Sequence, residues 1–154
     1  MTASHWSGPI LAGPNKDAGD PNAPFNQGPV DLNQIVNMPV NTGGLVTEVL
    51  INIPPGCRID SFIVDVLTAY DSATSATLSA GSTPGGTQYL SGVNVKAATG
   101  RIIPTYTAAQ LAAMAGTTVL GVAAPIAGPL YLDITSVGQP ANGYVTVLVN
   151  YIQF

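Results

Sequence analysis

Cys57-Arg58-Ile59-Asp60-Ser61-Phe62-Ile63-Val64-Asp65-Val66-Leu67-Thr68-Ala69-Tyr70 is the stretch that decides the fold. Side chains of an extended chain alternate between faces, so Ile59, Ile63 and Leu67 point one way and Phe62, Val64 and Val66 the other. Both faces are apolar, and the stretch reads as the central strand of a sheet with partial cover on both sides. Its β-branched residues suit a pleated surface better than a helix. On strict alternation Asp60 and Asp65 fall on opposite faces, which removes them as a catalytic pair on their own strand.

Immediately upstream, Leu45–Ile53 also alternates. Leu45, Val49, Ile51 and Ile53 share one side, and Glu48 and Asn52 the other, the pattern of a strand with one solvated face. Pro54-Pro55-Gly56 ends it, and so tight a connection makes the pair a hairpin or a corner between sheets. Further upstream lie a short strand over Val30–Asn37 and a turn at Asn41-Thr42-Gly43-Gly44.

Downstream, Asp71–Ser75 is a polar turn and Ala76–Ala80 a strand of small residues. Ser82-Thr83-Pro84-Gly85-Gly86 forms a loop, and Thr87–Leu90 and Val93–Lys96 are short strands parted by Ser91-Gly92. Arg101–Tyr106 is extended, and Pro104 keeps it at an edge. Thr107–Ala115 is the helix candidate: Thr107 caps it, Gly116 ends it, and Leu111 and Met114 would pack inward. Strands follow at Thr117–Ala123 and Leu130–Thr135, and Tyr144–Phe154 is the last, with Val145, Val147, Val149 and Tyr151 on one face. About eight strands at short spacing with one helical insertion make an all-β chain, a jelly-roll-like β-sandwich. The sequence leaves the strand order open.

Residues 1–29 differ from this domain, which spans 30–154. Five prolines and four glycines punctuate them; proline removes hydrogen-bond donors, and glycine raises the entropy cost of ordering. The segment reads as an extended arm studded with isolated apolar groups. Trp6, Ile10, Leu11 and Phe25, with His5 beside Trp6, are the candidate anchors for a neighbouring surface, because aromatic anchors are favoured at interfaces.

Composition narrows the function. Charged residues are only 8% of the 154, against a usual value of about 25%. A surface so poor in charge repels its own copies weakly and suits a subunit of an assembly. The four basic residues, Lys16, Arg58, Lys96 and Arg101, do not cluster, which argues against direct nucleic-acid binding. No apolar run approaches a membrane span, and no signal peptide precedes the domain, so no membrane partner and a cytoplasmic site of folding are expected.

The sequence carries no catalytic signature. Cys57 is the single cysteine, so no disulfide can form within the chain, and a triad would have to use His5, the single histidine, which lies in the arm. Cys57 reads as a small apolar residue, partly buried. Asp17 and Asp20 lack the spacing of a calcium loop, a pairing of Asp60 or Asp65 with Asp133 has no support, and Gly85-Gly86 lacks the context of a phosphate loop. No metal and no cofactor are expected, and no enzyme activity. Tyr70, Tyr89, Tyr106 and Tyr131 could serve a glycan-binding face, but tyrosines in β-proteins more often pack with a polar tip outward.

Three stretches taken together carry a family resemblance. They are Ser4-His5-Trp6-Ser7-Gly8-Pro9-Ile10; the run Ala69-Tyr70-Asp71-Ser72, Thr77-Leu78-Ser79-Ala80-Gly81, Gln88-Tyr89-Leu90-Ser91-Gly92-Val93-Asn94-Val95-Lys96-Ala97 and Gly100-Arg101; and Gly143-Tyr144-Val145-Thr146-Val147 through Asn150-Tyr151-Ile152. The chain resembles small structural proteins of tailed-phage virions, of the head-decoration (cement) kind. That resemblance implies a β-sandwich on the capsid exterior. It also implies a homo-oligomer, often a trimer, that clamps neighbouring major capsid protein subunits against internal DNA pressure. The competing expectation is a phage fibre or tail domain, or a host-glycan recognition module.

Overall fold

Leu45–Ile53 and Cys57–Tyr70 are one strand. In a computed structural model, which describes residues 30–116, 118–119, 122–123 and 126–153, β2 runs unbroken from Val46 to Thr68. Its first half pairs antiparallel with β8 (Ile126–Val137), and its second half with β9 (Tyr144–Gln153). The register breaks between Ile53 and Cys57. Pro54-Pro55-Gly56 therefore bends the strand across a corner instead of stopping it. Two prolines remove two ladder donors in succession, so neither sheet can run straight through them.

The remaining elements are β1 (Val30–Pro39), β3 (Ser75–Gly81), β4 (Leu90–Asn94), β5 (Gly100–Ile102), α1 (Ala108–Ala115) and a two-residue pair, β6 (Thr118–Val119) with β7 (Val122–Ala123). Hydrogen bonding runs β1-β9-β2-β8-β3-β4, with β5 on β2. Counted by halves of β2, this is two antiparallel four-stranded sheets. Sheet one is β1-β9-β2(57–68)-β5, and sheet two is β2(46–53)-β8-β3-β4. In chain order the first of the eight arms pairs with the last, the second with the seventh, the third with the sixth and the fourth with the fifth. That is a long hairpin rolled up on itself, which is the jelly-roll order.

Between the sheets lies one core, with Met38, Cys57, Phe62, Val64, Leu78, Leu90, Leu132, Ile134, Val145 and Val147 all fully buried. Alternation supplies it: β9 buries Val145, Val147, Val149 and Tyr151 and turns the residues between them outward. The register of β2 against β9 shifts twice, at 59–61 and again at 66–68. Ile59 pairs with Tyr151 and Ser61 with Asn150, so one extra residue is bulged out at 60–61. A bulge flips the parity of everything beyond it. Ile59 and Phe62 consequently face the same core, and Ile63 and Leu67 face out, Leu67 being 60% exposed. The expected cover on both faces of this strand is absent within the described residues. Asp60 and Asp65, expected on opposite faces, both lie on the outer surface.

Other expectations shift for local reasons. Thr87–Leu90 and Val93–Lys96 give one strand, β4, and Gly92 at φ +69° is carried inside it. β5 covers only the start of the extended stretch to Tyr106. β8 begins at Ile126, before Pro129; β3 ends opposite Tyr131, so Pro129 has a ladder neighbour on one side only and its missing N–H costs little. Thr107–Ala115 forms the expected helix with a full capping box, in which Thr107 and Gln110 satisfy each other's backbone N–H. Met114 packs inward as expected, but Leu111 is exposed and Gln110 takes the second buried place.

Candidate interface

The outer surface of sheet one is a broad open face; that of sheet two also exposes Val46, Leu50 and Val137. The rows of sheet one follow from the register. Ile35 lies opposite Leu148, and Leu148 opposite Ile63. Ile35 is 64% exposed, while Ile63 and Leu148 are half-buried by their neighbours. These three make an apolar stripe across the strands, about 10 Å long at a strand spacing of about 4.8 Å.

Polar rows border the stripe, and their groups are paired with each other. On one side run Asn33, Asn150 and Ser61, with the Asn150 amide donating to the Ser61 hydroxyl at 3.0 Å. On the other run Asn37, Thr146 and Asp65, and the Thr146 hydroxyl donates to Asn37 Oδ1 at 3.1 Å. Arg101 Nε and Nη2 close that row on Asp65 Oδ1 and Oδ2 at 2.8 and 2.9 Å. The Arg101 hydrogen bond holds the Asp65 carboxyl below the usual carboxylate range. These bonds close the two bordering rows on themselves, while Asp31 and Asp60 lie exposed farther along the same face.

The residues singled out for chemistry do not come together. Cys57 is fully buried, more than expected, and burial raises its thiol pKa, which keeps it protonated. Asp133 lies on sheet two, away from Asp60 and Asp65. It is almost wholly covered by the 82–86 loop, and its Oδ2 accepts from Gly85 N at 2.8 Å. The Pro84-Gly85 turn over it is closed by Gly86 N donating to Thr83 O at 2.9 Å. Among the described residues no three His, Cys, Asp or Glu side chains gather where they could hold a metal ion, and no helix is long and apolar enough to cross a membrane.

Of the tyrosines considered for glycans, Tyr70 and Tyr89 are buried. The Tyr70 hydroxyl donates to Met38 O at 3.3 Å. Tyr106 is half-buried, and its hydroxyl accepts from Phe62 N at 2.8 Å and donates to Phe62 O at 3.3 Å. Burial raises all three phenol pKa values. Only Tyr131 keeps part of its ring on an outer face without such a tie. The arm candidates His5, Trp6, Ile10, Leu11 and Phe25, and Asp17 and Asp20, lie outside the described residues.

Sequence reading missed the stripe. The signal was present in Ile63 and Leu67, which alternation places together, but their partners Ile35 and Leu148 are 28 and 85 positions from Ile63 and meet it only through strand register.

No protein-family model matches the chain, and no curated protein sequence does. Solved structures are similar to it. A chain in the capsid asymmetric unit of cyanophage Pam1 aligns with a TM-score of 0.52 at 18% identity, over 90% of this chain and 97% of that one. A chain in the capsid of Ralstonia phage GP4 aligns with a TM-score of 0.51 at 16% identity, over 94% of this chain and 92% of that one. At these identities the likeness is one of fold. Coverage near completion in both directions also makes the matched chains about the length of this one.

Proposed function

We propose that this protein is a structural component of a phage virion that binds the outside of the capsid and stabilises it by bridging major capsid protein subunits. The observation that carries the reading is the end-to-end likeness of fold to chains of two phage capsids. Two properties of the chain agree with it. Charged residues make up only 8% of the sequence, and the open face of sheet one presents an apolar stripe framed by self-paired polar rows.

In this reading the 30–154 domain is a rigid body, and residues 1–29 are the tether. His5, Trp6, Ile10, Leu11 and Phe25 supply the arm's contacts, and the assembly is a homo-oligomer, a trimer in the simplest form. Many weak sites on a symmetric shell add up by multivalency. The capsid exterior is then where the protein resides, with neither nucleic acid nor membrane as a partner.

Electron microscopy of virions with and without the protein tests this directly. Extra density on the outer shell at points between major capsid subunits is the expected result. Density confined to a tail or fibre, or no density, refutes it. Deleting residues 1–29 is expected to lower occupancy of empty capsids in co-sedimentation; unchanged occupancy refutes the tether.

A further inference from the structure

We infer that Asn142-Gly143 is a self-modification site, at which the backbone nitrogen of Gly143 converts Asn142 to aspartate and isoaspartate, and that the Asp71 carboxylate holds this site shut in the folded protein. The reaction needs only this chain and water, so it stands apart from the capsid reading.

Asn142-Gly143 is the one Asn-Gly pair in the chain. Glycine has no side chain to shield its amide nitrogen and leaves the backbone free to swing, so an unstructured Asn-Gly pair closes on itself readily. A base in solution, hydroxide at its simplest, takes the proton from Gly143 N. The nitrogen then attacks Cγ of Asn142 and forms a cyclic succinimide. The Cγ–Nδ2 bond breaks, and Nδ2 leaves as ammonia, the proton returning to it through water. Water opens the ring at either carbonyl, which leaves aspartate or isoaspartate at position 142.

Two neighbours place this labile pair here. A Cβ at position 143 would meet the Tyr70 ring at 2.5–2.7 Å, and Tyr70 is buried with its hydroxyl on Met38 O. Asp71 selects the asparagine. Its Oδ1 accepts from Ala141 N at 2.7 Å and Asn142 N at 3.0 Å, and its Oδ2 accepts from Asn142 Nδ2 at 2.9 Å. Asp71 N donates in turn to Asn142 O at 3.1 Å.

The same bonds block the reaction. Ring closure needs Cγ of Asn142 to rotate onto Gly143 N, and the Nδ2 bond keeps that side chain on Asp71. The peptide unit between the two residues is planar, and Asp71 N holds it by its oxygen. Gly143 O is held as well, by Val40 N at 2.9 Å. Gly143 is buried while Asn142 and Asp71 are exposed, so base reaches the Gly143 N–H when this turn opens locally. The change runs one way. Aspartate at 142 lacks the Nδ2 donor and sets a second carboxylate against Asp71. Isoaspartate adds a methylene to the main chain just before β9.

The experiment uses the purified full chain in mildly alkaline buffer, with peptide mapping by mass spectrometry to separate asparagine, aspartate and isoaspartate at 142 over time. In urea, position 142 is expected to modify faster than any other asparagine. The folded wild type should be slower there by at least about tenfold. Asp71→Ala should raise the folded-state rate roughly tenfold. Asp71→Asn keeps one acceptor oxygen, guards the test against misfolding and should fall between. Tyr106→Phe, which weakens the fold away from this turn, should leave the folded-state rate unchanged.

No preference for position 142 in urea overturns the proposal, as does a folded wild type that modifies at the unfolded rate. A folded-state rate that both Asp71 substitutions leave unchanged overturns it too. Equal acceleration by Tyr106→Phe and Asp71→Ala does the same, because the gate would then be global unfolding and not the Asp71 contacts.

Discussion

Tyr106→Phe isolates one device in this sandwich. β5 covers β2 only at Val64, Asp65 and Val66, and Pro104 cannot extend the ladder because it has no donor. Phe62, just short of that cover, directs its N–H and C=O away from β9, and the Tyr106 hydroxyl meets both, at 2.8 and 3.3 Å. The substitution deletes the hydroxyl and keeps the ring. A backbone group left dry and unpaired costs about 1–3 kcal/mol. Tyr106 is half-buried, so water reaches the vacated position and the low end applies, about 1.5 kcal/mol for the two bonds together. In a domain of this size that is a fall in Tm of about 3–6 °C.

Urea denaturation followed by far-UV circular dichroism measures the change. The denaturant dependence should keep its slope and shift its midpoint. Tyr106→Ala should cost about 2 kcal/mol more, because the ring also packs against the core. A loss below about 0.5 kcal/mol for Tyr106→Phe would refute the claim that this hydroxyl substitutes for a ladder partner.

Gly143→Ala should destabilise by about 1–3 kcal/mol in the same assay, because a Cβ there would meet the Tyr70 ring at 2.5–2.7 Å, and that ring is buried and tied to Met38; an unaffected midpoint would show that the ring moves freely. Acid should weaken the fold through Asp71. Its carboxylate accepts from Asn142 N at 3.0 Å, Asn142 Nδ2 at 2.9 Å and Ala141 N at 2.7 Å, and these bonds, those from Asn142 first, hold its pKa below the usual value. A carboxyl depressed in the folded state contributes stability that is present above its unfolded pKa and is lost as pH falls through the folded one. Urea midpoints measured from about pH 6 to about pH 2 should therefore fall less steeply for Asp71→Asn than for the wild type; equal slopes would place the acid sensitivity elsewhere.

Much of this protein is set by local chemistry and so is legible in the chain itself. Alternation in Leu45–Ile53 and Tyr144–Phe154 fixes which residues face the core, because a pleated strand has a period of two whatever it pairs with. Thr107 and Gln110 fix the start of α1, since a capping box needs only four consecutive residues. The all-β class and the poverty in charge belong to the same group. The corner in β2 is a different matter. Pro54-Pro55-Gly56 interrupts a ladder, but whether the chain turns back on itself or crosses to another sheet depends on β8 and β9, which lie far along the sequence.

The bulge at 60–61 is also invisible locally, since it exists only as a mismatch against Asn150 and Tyr151. It moved Asp60 to the same side as Asp65 and turned Ile63 and Leu67 outward. The jelly-roll order and the stripe from Ile35 through Leu148 to Ile63 likewise come from long-range pairing. The sequence by itself determined which residues are apolar and with what period; only the tertiary structure decided which of them meet and which apolar face stays open, because register is a relation between strands that no single strand contains.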